Sequence, residues 1–203
     1  MSQHDHDHDD ELAPEQELDA DDAEDAERDV ESDVRQRIAL AQVRQYGDAV
    51  LRMRAGEVTS FDDQLARLVE RMTALMHDAR GVGLAATQVG VVRRVFVFEY
   101  DAEDRVLVNP VITNEGKERE IDEEGCLSLG AVRVPVERAA EVVIEGKDAT
   151  GADVRYELEG MTARVVQHEL DHLDGVLIVD RTDAASRKEA LSRLRPRLLL
   201  GSR

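Results

Sequence analysis

The sequence predicts one domain that mixes α-helices with several short β-strands, preceded by an acidic tail. Three observations support this prediction. Apolar residues recur at helical spacing within residues 60–78, strand-like apolar runs occupy much of residues 92–158, and residues 165–173 resemble a buried helix carrying an H-E-x-x-H motif. The chain has 203 residues, which is enough for one domain with a substantial hydrophobic core.

Residues 1–33 differ from the rest in composition. They hold 16 Asp and Glu against one Arg, a net charge of −15, whereas residues 34–203 carry a net charge of −4. A segment this acidic buries too little apolar surface to offset the entropy lost on ordering. We therefore predict a disordered tail at 1–33, followed by a single domain at 34–203. His4, His6 and His8 alternate with Asp and could bind a divalent metal loosely, but a solvated tail is the favoured interpretation.

Cysteine usage and hydropathy indicate the compartment. Cys126 is the sole cysteine, so no intramolecular disulfide is possible, which is typical of a reducing compartment. The N-terminus lacks the pattern of a secretory signal, and no apolar run approaches the roughly 20 residues of a membrane span. We therefore expect a cytoplasmic protein with no membrane partner. Residues 34–203 are nearly balanced in charge and so lack the overall positive charge that is typical of nucleic-acid-binding proteins.

The first helices follow from capping and periodicity. A short helix and loop are predicted near 47–51. Ser60 and Asp63 then form an S-x-x-D capping pattern, and six apolar residues repeat at helical spacing, which predicts a helix ending near Asp78. His77 lies beyond this apolar stripe, so we interpret it as a surface residue and not as a metal ligand.

The stretch GVGLAATQ at 81–88 is rich in small residues, which let a ligand approach the backbone closely. It is not a phosphate-binding loop, because the lysine of that motif is absent. Gln88 could donate a hydrogen bond to a developing oxyanion. From this stretch alone, a tight loop with a structural amide is the favoured interpretation.

The second half of the domain reads mainly as strands. Pro110 marks one of them as an edge or bulged strand. A turn is predicted at 147–151 and a final helix at 184–194. The predicted strands are 92–100, 106–112, 132–136, 141–146, 153–158 and 176–179. Residues 184–203 carry six Lys or Arg against one Glu. Such a basic segment is usually a solvent-exposed helix face.

The H-E-x-x-H motif at 168–172 is the strongest chemical signal. Residues four apart lie on one face of a helix, so His168 and His172 can point two imidazoles at one ion, with Glu169 close enough to act on a bound water. No His follows His172, which excludes the three-His metzincin pattern, so a third ligand must come from elsewhere. Gly175 is a helix stop.

Cys126, within EGCLS at 124–128, is the one soft donor that the chain offers to this site. An inert buried thiol is the commoner role of a lone cysteine. A Cys-His-His set is nonetheless chemically reasonable for Fe²⁺ or Zn²⁺.

Three motifs, GVGLAATQ at 81–88, EGCLS at 124–128 and QHELDH at 167–172, together resemble the signatures of the peptide deformylases, in the same order. The resemblance extends from about residue 38 to about residue 183. It implies an α+β fold, with mainly antiparallel β-sheets packed around one central H-E-x-x-H helix, an N-terminal helix and a C-terminal helix. It also implies hydrolytic removal of the formyl group from the N-terminal formyl-methionine of newly made polypeptides.

The resemblance further implies a role for each candidate site residue. The implied ligands of one ion per chain are Cys126, His168 and His172. The implied ion is Fe²⁺, with Zn²⁺ or Ni²⁺ as alternatives. The implied catalytic groups are the acid/base Glu169 and two oxyanion donors, Gln88 and the backbone N–H of Leu127. The implied substrate contacts are the backbone of Val82, Gly83 and Gly125, which would pair with an added strand, and Val165, which with Met161 would line a methionine pocket.

Some features depart from the family pattern or go beyond it. Thr87 and Gly130 stand where the family often has proline, and the acidic tail is an addition.

The implied partners are formyl-methionyl nascent peptides. For the basic segment 184–203, docking near ribosomal RNA is an alternative to the solvated face. We expect a monomer.

Two rival functions remain open. A zinc endopeptidase would share the H-E-x-x-H motif and use a downstream carboxylate such as Asp180 or Glu189 as its third ligand. A non-catalytic metal-binding relative would keep the ligands and lose activity, which the retained Glu169 and Gln88 disfavour.

Overall fold

The computed structural model describes residues 20–194 of the chain. The helices are α1 (Ala20–Gln42), α2 (Asp63–Asp78), α3 (Gly160–Leu173), α4 (Ile178–Arg181) and α5 (Ala184–Leu194). The strands are β1 (Gly83–Ala85), β2 (Val95–Tyr100), β3 (Glu103–Glu115), β4 (Arg119–Gly125), β5 (Arg133–Ala139), β6 (Glu141–Lys147) and β7 (Asp153–Glu159). The predictions for His4, His6, His8 and the chain beyond Leu194 lie outside this range.

The strands form two antiparallel sheets, as the α+β prediction requires. The larger sheet has the order β1-β2-β3-β6-β7, and β4 pairs with β5 in a separate two-stranded sheet. Helix α3 contacts β1, β2, β6 and β7 of the larger sheet and β5 of the smaller one. Its buried residues Val166 and Leu173 share a hydrophobic cluster with Phe96 and Phe98 of β2. No helix between residues 20 and 194 is long and apolar enough to cross a bilayer.

Most predicted elements are confirmed. Helix α2 ends at Asp78 and buries four of the six residues of the predicted apolar stripe, with the other two partly buried, and α5 has the predicted bounds. A 3-10 turn at Ala49–Arg52 corresponds to the short helix predicted near 47–51. The strand with Pro110 is bulged, since its register with β6 shifts between Val108 and Val111, but it lies inside the sheet between β2 and β6.

The start of α2 differs from the prediction. Asp62, and not Ser60, is the N-cap, and its carboxylate accepts hydrogen bonds from the backbone of Gln64 and Leu65 at 3.0 and 3.1 Å. Serine and aspartate are both good N-cap residues, so their identity alone does not decide between Ser60 and Asp62. The position at which the chain enters the helix decides it.

Two local predictions near the site are wrong. Residues 176–179 are not a strand. The Asp180 carboxylate accepts a hydrogen bond from the Leu177 backbone at 2.9 Å and pairs with Arg52, which stabilises the helical turn α4. Strand β4 was not predicted, because its sequence REIDEEG is too charged to resemble a strand. Its pairing with β5 supplies the order that its composition does not indicate.

The prediction of disorder for residues 1–33 is wrong for residues 20–33, which belong to α1. Two features explain the difference. Glu31 precedes Arg35 by four residues, a spacing at which opposite charges stabilise a helix. The Arg80 guanidinium donates to Ser32 Oγ at 2.9 Å and to Asp33 Oδ1 at 2.8 Å, which holds α1 against the body of the protein.

Candidate metal centre

Helix α3 carries two of the candidate ligands and is anchored on one side by Gln167. The Gln167 amide bonds to both backbone groups of Ala139, accepting from its N–H at 3.1 Å and donating to its carbonyl at 3.0 Å. This contact joins the helix to the end of β5 and sets its rotation. His168 and His172 consequently lie on the same side of α3, with their ring centroids 5.0 Å apart.

Cys126 meets this pair of histidines from a different part of the chain. It follows β4 directly and precedes the 3-10 turn Leu127–Leu129. Its Sγ lies 3.2 Å from Nε2 of His172, and the ligand atoms of Cys126, His168 and His172 all lie within 4.8 Å of one another. Within the described residues, this is the one group of three or more such side chains close enough to hold an ion. Its sulfur and nitrogen donors fit a divalent transition metal.

Glu124 orients His168. The Glu124 carboxylate lies 3.0 Å from Nδ1 of His168, which leaves Nε2 of that ring to face the cluster. Arg138 donates twice to the same carboxylate at 2.9 and 3.0 Å, and Arg164 donates once at 2.8 Å. Burial alone would raise the pKa of Glu124, but the hydrogen bonds from His168 and Arg138 outweigh it and lower the pKa to about 2.

The same arginine ties the next turn of α3 to β5. Arg138 donates to Asp171 at 2.5 Å, and Arg181 donates to Asp171 at 2.5 and 3.0 Å. Burial works to lower the pKa of Arg138, but hydrogen bonding and charge from Glu124 and Asp171 raise it above its ordinary value. Sequence reasoning missed this network, because a buried arginine is rare and nothing local to residues 138 or 164 indicates one.

The two imidazoles respond differently to burial. Burial lowers the pKa of His168, but hydrogen bonds with Cys126 and Glu124 reverse the effect and raise the pKa well above its ordinary value. Burial and the charge of His168 lower the pKa of His172 well below its ordinary value. A neutral imidazole is the form that binds a metal, so His172 is already in that form.

Glu169 lies beside the cluster with an unused oxygen. Its Oε2 is buried and makes no hydrogen bond within the described part of the chain. Burial raises its pKa to about 7. A Cβ at Gly83 would lie 2.5 Å from its Oε1, so the glycine leaves the space that this carboxylate occupies. A carboxyl with a pKa near neutral pH suits proton transfer in both directions.

Gln88 reaches the cluster from the 3-10 turn Ala86–Val89. Its Oε1 accepts from the backbone of Ala85 at 2.8 Å, while its Nε2 donates to Ser128 Oγ at 3.2 Å and lies 3.7 Å from Cys126 Sγ. These contacts fix which end of the amide faces the site. Leu127 is the first residue of its 3-10 turn, a position whose N–H has no acceptor within the turn.

A cleft of about 620 Å³ opens over these groups. All four predicted substrate-contact residues line it: Val82, Gly83, Gly125 and Val165. The cleft is also lined by Gln88, Cys126, Leu127, His168 and Glu169, whereas His172 is buried and does not line it. The structure thus brings the predicted site residues together around one cleft. Strand β1 forms one end of the larger sheet, so its outer edge has no strand partner among residues 20–194.

The other residues considered in the sequence lie elsewhere. Asp180 pairs with Arg52 and Arg187, and Glu189 pairs with Arg193, so neither carboxylate joins the cluster. His77 is at the surface, 2.7 Å from Asp104.

The two positions that depart from the family pattern have structural roles of their own. Thr87 Oγ1 donates to the carbonyl of His172 at 3.2 Å. Gly130 has φ +61°, a backbone conformation that proline cannot adopt.

The fold and the site define a class: an α+β protein with a candidate Cys-His-His metal centre and a neighbouring carboxylate, as in metal-dependent hydrolases. The family model for polypeptide deformylase matches residues 40–188. The peptide deformylase of Thermotoga neapolitana is 47% identical over 148 residues, which cover 73% of this chain and 90% of that protein. Peptide deformylase 1 of Corynebacterium efficiens is 45% identical over 162 residues, covering 78% and 96%.

Solved structures agree with the sequence relatives. The crystal structure of the Thermotoga maritima peptide deformylase has a TM-score of 0.68, with 45% identity over 70% of this chain and 96% of that one. The Legionella pneumophila enzyme has a TM-score of 0.72 with 37% identity over 75% and 91%. The chain therefore belongs to the peptide deformylase family, whose members are hydrolases that remove N-terminal formyl groups from nascent polypeptides.

Proposed function

We propose that this protein hydrolyses the formyl amide at the N-terminal methionine of new polypeptides, with Glu169 as the acid/base beside an ion held by Cys126, His168 and His172. The observation that carries the proposal is the position of Glu169. Its carboxylate is buried next to the three ligand atoms, has a pKa raised to about 7, and lines an open cleft.

The donor set supports a single divalent ion. Two imidazoles and one thiolate suit Fe²⁺, with Zn²⁺ or Ni²⁺ as alternatives. When bound, such an ion lowers the pKa of a coordinated water and polarises a substrate carbonyl. The hydrogen bond between Glu124 and His168 favours the arrangement, because it fixes the ring that would present Nε2 to the ion.

Glu169 moves the proton. As a carboxylate it accepts a proton from the attacking water, and as an acid it passes that proton to the departing amine of methionine. A pKa of about 7 allows both the protonated and the ionised form of Glu169 near neutral pH. The products are formate and a free N-terminal methionine.

Two donors would stabilise the oxyanion that develops on the formyl group. Gln88 is held with its Nε2 toward Cys126, and the Leu127 N–H follows the same cysteine. Removing one such donor typically lowers the rate by on the order of 10²–10³.

The peptide would bind as an added strand. The outer edge of β1 and the residue before it offer the backbone of Gly83 and Val82, and Gly125, the last residue of β4, lines the same cleft. Val165 and Met161 line the same cleft one turn and two turns before His168, which suits an apolar methionine side chain.

The experiment is formate release from a formyl-Met-Ala-Ser peptide, using protein purified without oxygen and with its metal content measured. We expect release that requires about one ion per chain. The matched variant Glu169→Gln keeps the shape of the side chain and should keep the ion while losing activity. Normal turnover by Glu169→Gln would refute its role, and cleavage of an unformylated internal peptide bond would favour an endopeptidase.

The ribosome contact, the cytoplasmic location and the monomeric state stay predictions. In the described part of the basic segment, Arg187 and Arg193 pair with Asp180 and Glu189, which leaves less positive charge for RNA than the sequence suggests. Ala190 of α5 is buried, so the test is removal of residues after Leu194 and not of the helix itself. Unchanged ribosome binding over a salt series would dismiss the contact.

A further inference from the structure

Helix α1 lies almost wholly before the segment that matches the family, yet it borders the same cleft as the metal centre. The family match begins at residue 40, whereas α1 spans Ala20–Gln42. Gln36 and Leu40 of this helix line the cleft together with His168 and Glu169. Gln36 lies before the family match and Leu40 is its first residue, so this part of the cleft wall includes a side chain from outside the matched segment.

Several contacts hold α1 in this position. The Arg80 guanidinium donates to Ser32 Oγ and Asp33 Oδ1 at 2.9 and 2.8 Å, and Gln36 Nε2 donates to the carbonyl of Ala79 at 3.4 Å. Ala39 is buried in the hydrophobic cluster that contains α2. The helix is thus fastened to the turn that leads from α2 into β1.

The direction of the cleft determines what α1 can touch. The end of the cleft where the reaction would occur is the one that holds Glu169, whose carboxylate packs against Gly83. A formyl group must lie at that end, so the rest of the peptide leaves along the cleft. The open edge of β1 leads back from Gly83 through Gly81 to Arg80, where α1 forms the wall. Residues that follow the formyl-methionine would pass this wall.

We infer that α1 is a specificity element, which contacts the peptide residues after formyl-methionine through Gln36 and Leu40. Arg80 lines the cleft too, and we assign it a positioning role because it holds α1 through Ser32 and Asp33. This inference rests on the proposed deformylase function. It assigns a substrate-binding role to a helix that lies almost wholly before the family match, which begins at Leu40.

The test compares two substrates of different length, formyl-Met-amide and formyl-Met-Ala-Ser-Ala, on the full chain loaded with metal. In Gln36→Ala, the ratio of kcat/KM for the tetrapeptide to kcat/KM for the amide should fall about 3–10-fold, the effect of one or two lost contacts. The loss should appear in KM and not in kcat. Gln42→Ala is the matched control, because Gln42 lies on the same helix, is exposed and does not line this cleft.

A second variant tests the positioning role. Arg80→Ala should lower the same ratio, and Arg80→Lys should restore part of it, because lysine can still pair with Asp33. Thermal melting of each variant separates a local effect from unfolding. An unchanged ratio in both Gln36→Ala and Arg80→Ala would overturn the inference while leaving the deformylase activity intact. Failure of the unaltered protein to release formate from either substrate would instead overturn the proposed function.

Discussion

Glu124 contacts His168 and Glu169 follows it in the chain, and both are buried, yet their carboxylates have opposite properties. Glu124 accepts hydrogen bonds from two arginines and contacts His168, and its pKa falls to about 2. Glu169 has one oxygen without a partner in the described residues, and its pKa rises to about 7. Burial is common to both, so the number of donors decides which carboxylate stays charged and which can exchange a proton.

The largest expected effect is the loss of activity in Glu169→Gln. The amide cannot carry a proton, so the rate of formate release should fall by about 10²–10⁴-fold while the metal content stays near that of the unaltered protein. Glu70→Gln, an exposed change on α2, is the control and should retain full activity. A Glu169→Gln protein that lost its metal would show that this side chain supports the ion and would weaken the contrast with Glu124.

The next effect is the loss of stability in Glu124→Gln. The amide carries no charge to balance Arg138 and Arg164, so the free energy of unfolding should fall by about 3 kcal/mol, as when one partner of a buried ion pair is removed. Chemical denaturation measures this change. Glu137→Gln, an exposed neighbour on β5, should alter stability by less than about 0.5 kcal/mol. Equal losses in the two variants would contradict the role of the network.

The two carboxylates should also give the metal-free protein opposite pH dependences. Glu124 has a lowered pKa, so its stabilisation is present above pH 4.5 and is lost as the pH falls toward about 2. Glu169 has a raised pKa, so the folded state keeps a proton that the unfolded state releases, and stability falls as the pH rises from 4.5 to about 7.

Denaturation of chelator-treated protein across pH 2–8 measures both slopes. Glu124→Gln should flatten the acid limb, and Glu169→Gln should flatten the limb between 4.5 and 7, each by an amount on the order of 1–3 kcal/mol. If either variant kept the slope of the unaltered protein, the corresponding pKa assignment would be wrong.

The smallest expected effect comes from a contact of α3 that involves neither Glu124 nor Glu169. Thr87→Val removes the hydrogen bond to the His172 carbonyl, which should lower the free energy of unfolding by about 1 kcal/mol. Metal affinity should change little, because the ligand atoms are untouched. Thr59→Val, at an exposed position, is the control. A large loss of metal in Thr87→Val would show that the backbone at His172 helps to position the ring.

The sequence predicted the elements whose signals are local. Helices α2 and α5 and most strands follow from the spacing of apolar residues, and the three motifs predicted the candidate ligands through their resemblance to a family. The wrong predictions fall on segments whose charged residues obscure the sequence pattern of a strand or helix. Strand β4 is rich in acids, α4 depends on an Asp180 pairing with Arg52, and the acidic composition of α1 suggested disorder.

The sequence by itself determined that His168 and His172 could share an ion, because they are four residues apart on one helix, and the family resemblance added Cys126, the sole thiol, as the candidate third ligand. Only the tertiary structure decided how these groups behave. The partners of Glu124 come from positions 14, 40 and 44 residues away, so its pKa depends on contacts that no local pattern records. The placement of α1 beside the cleft has the same origin, since Arg80 reaches Asp33 across 47 residues of chain.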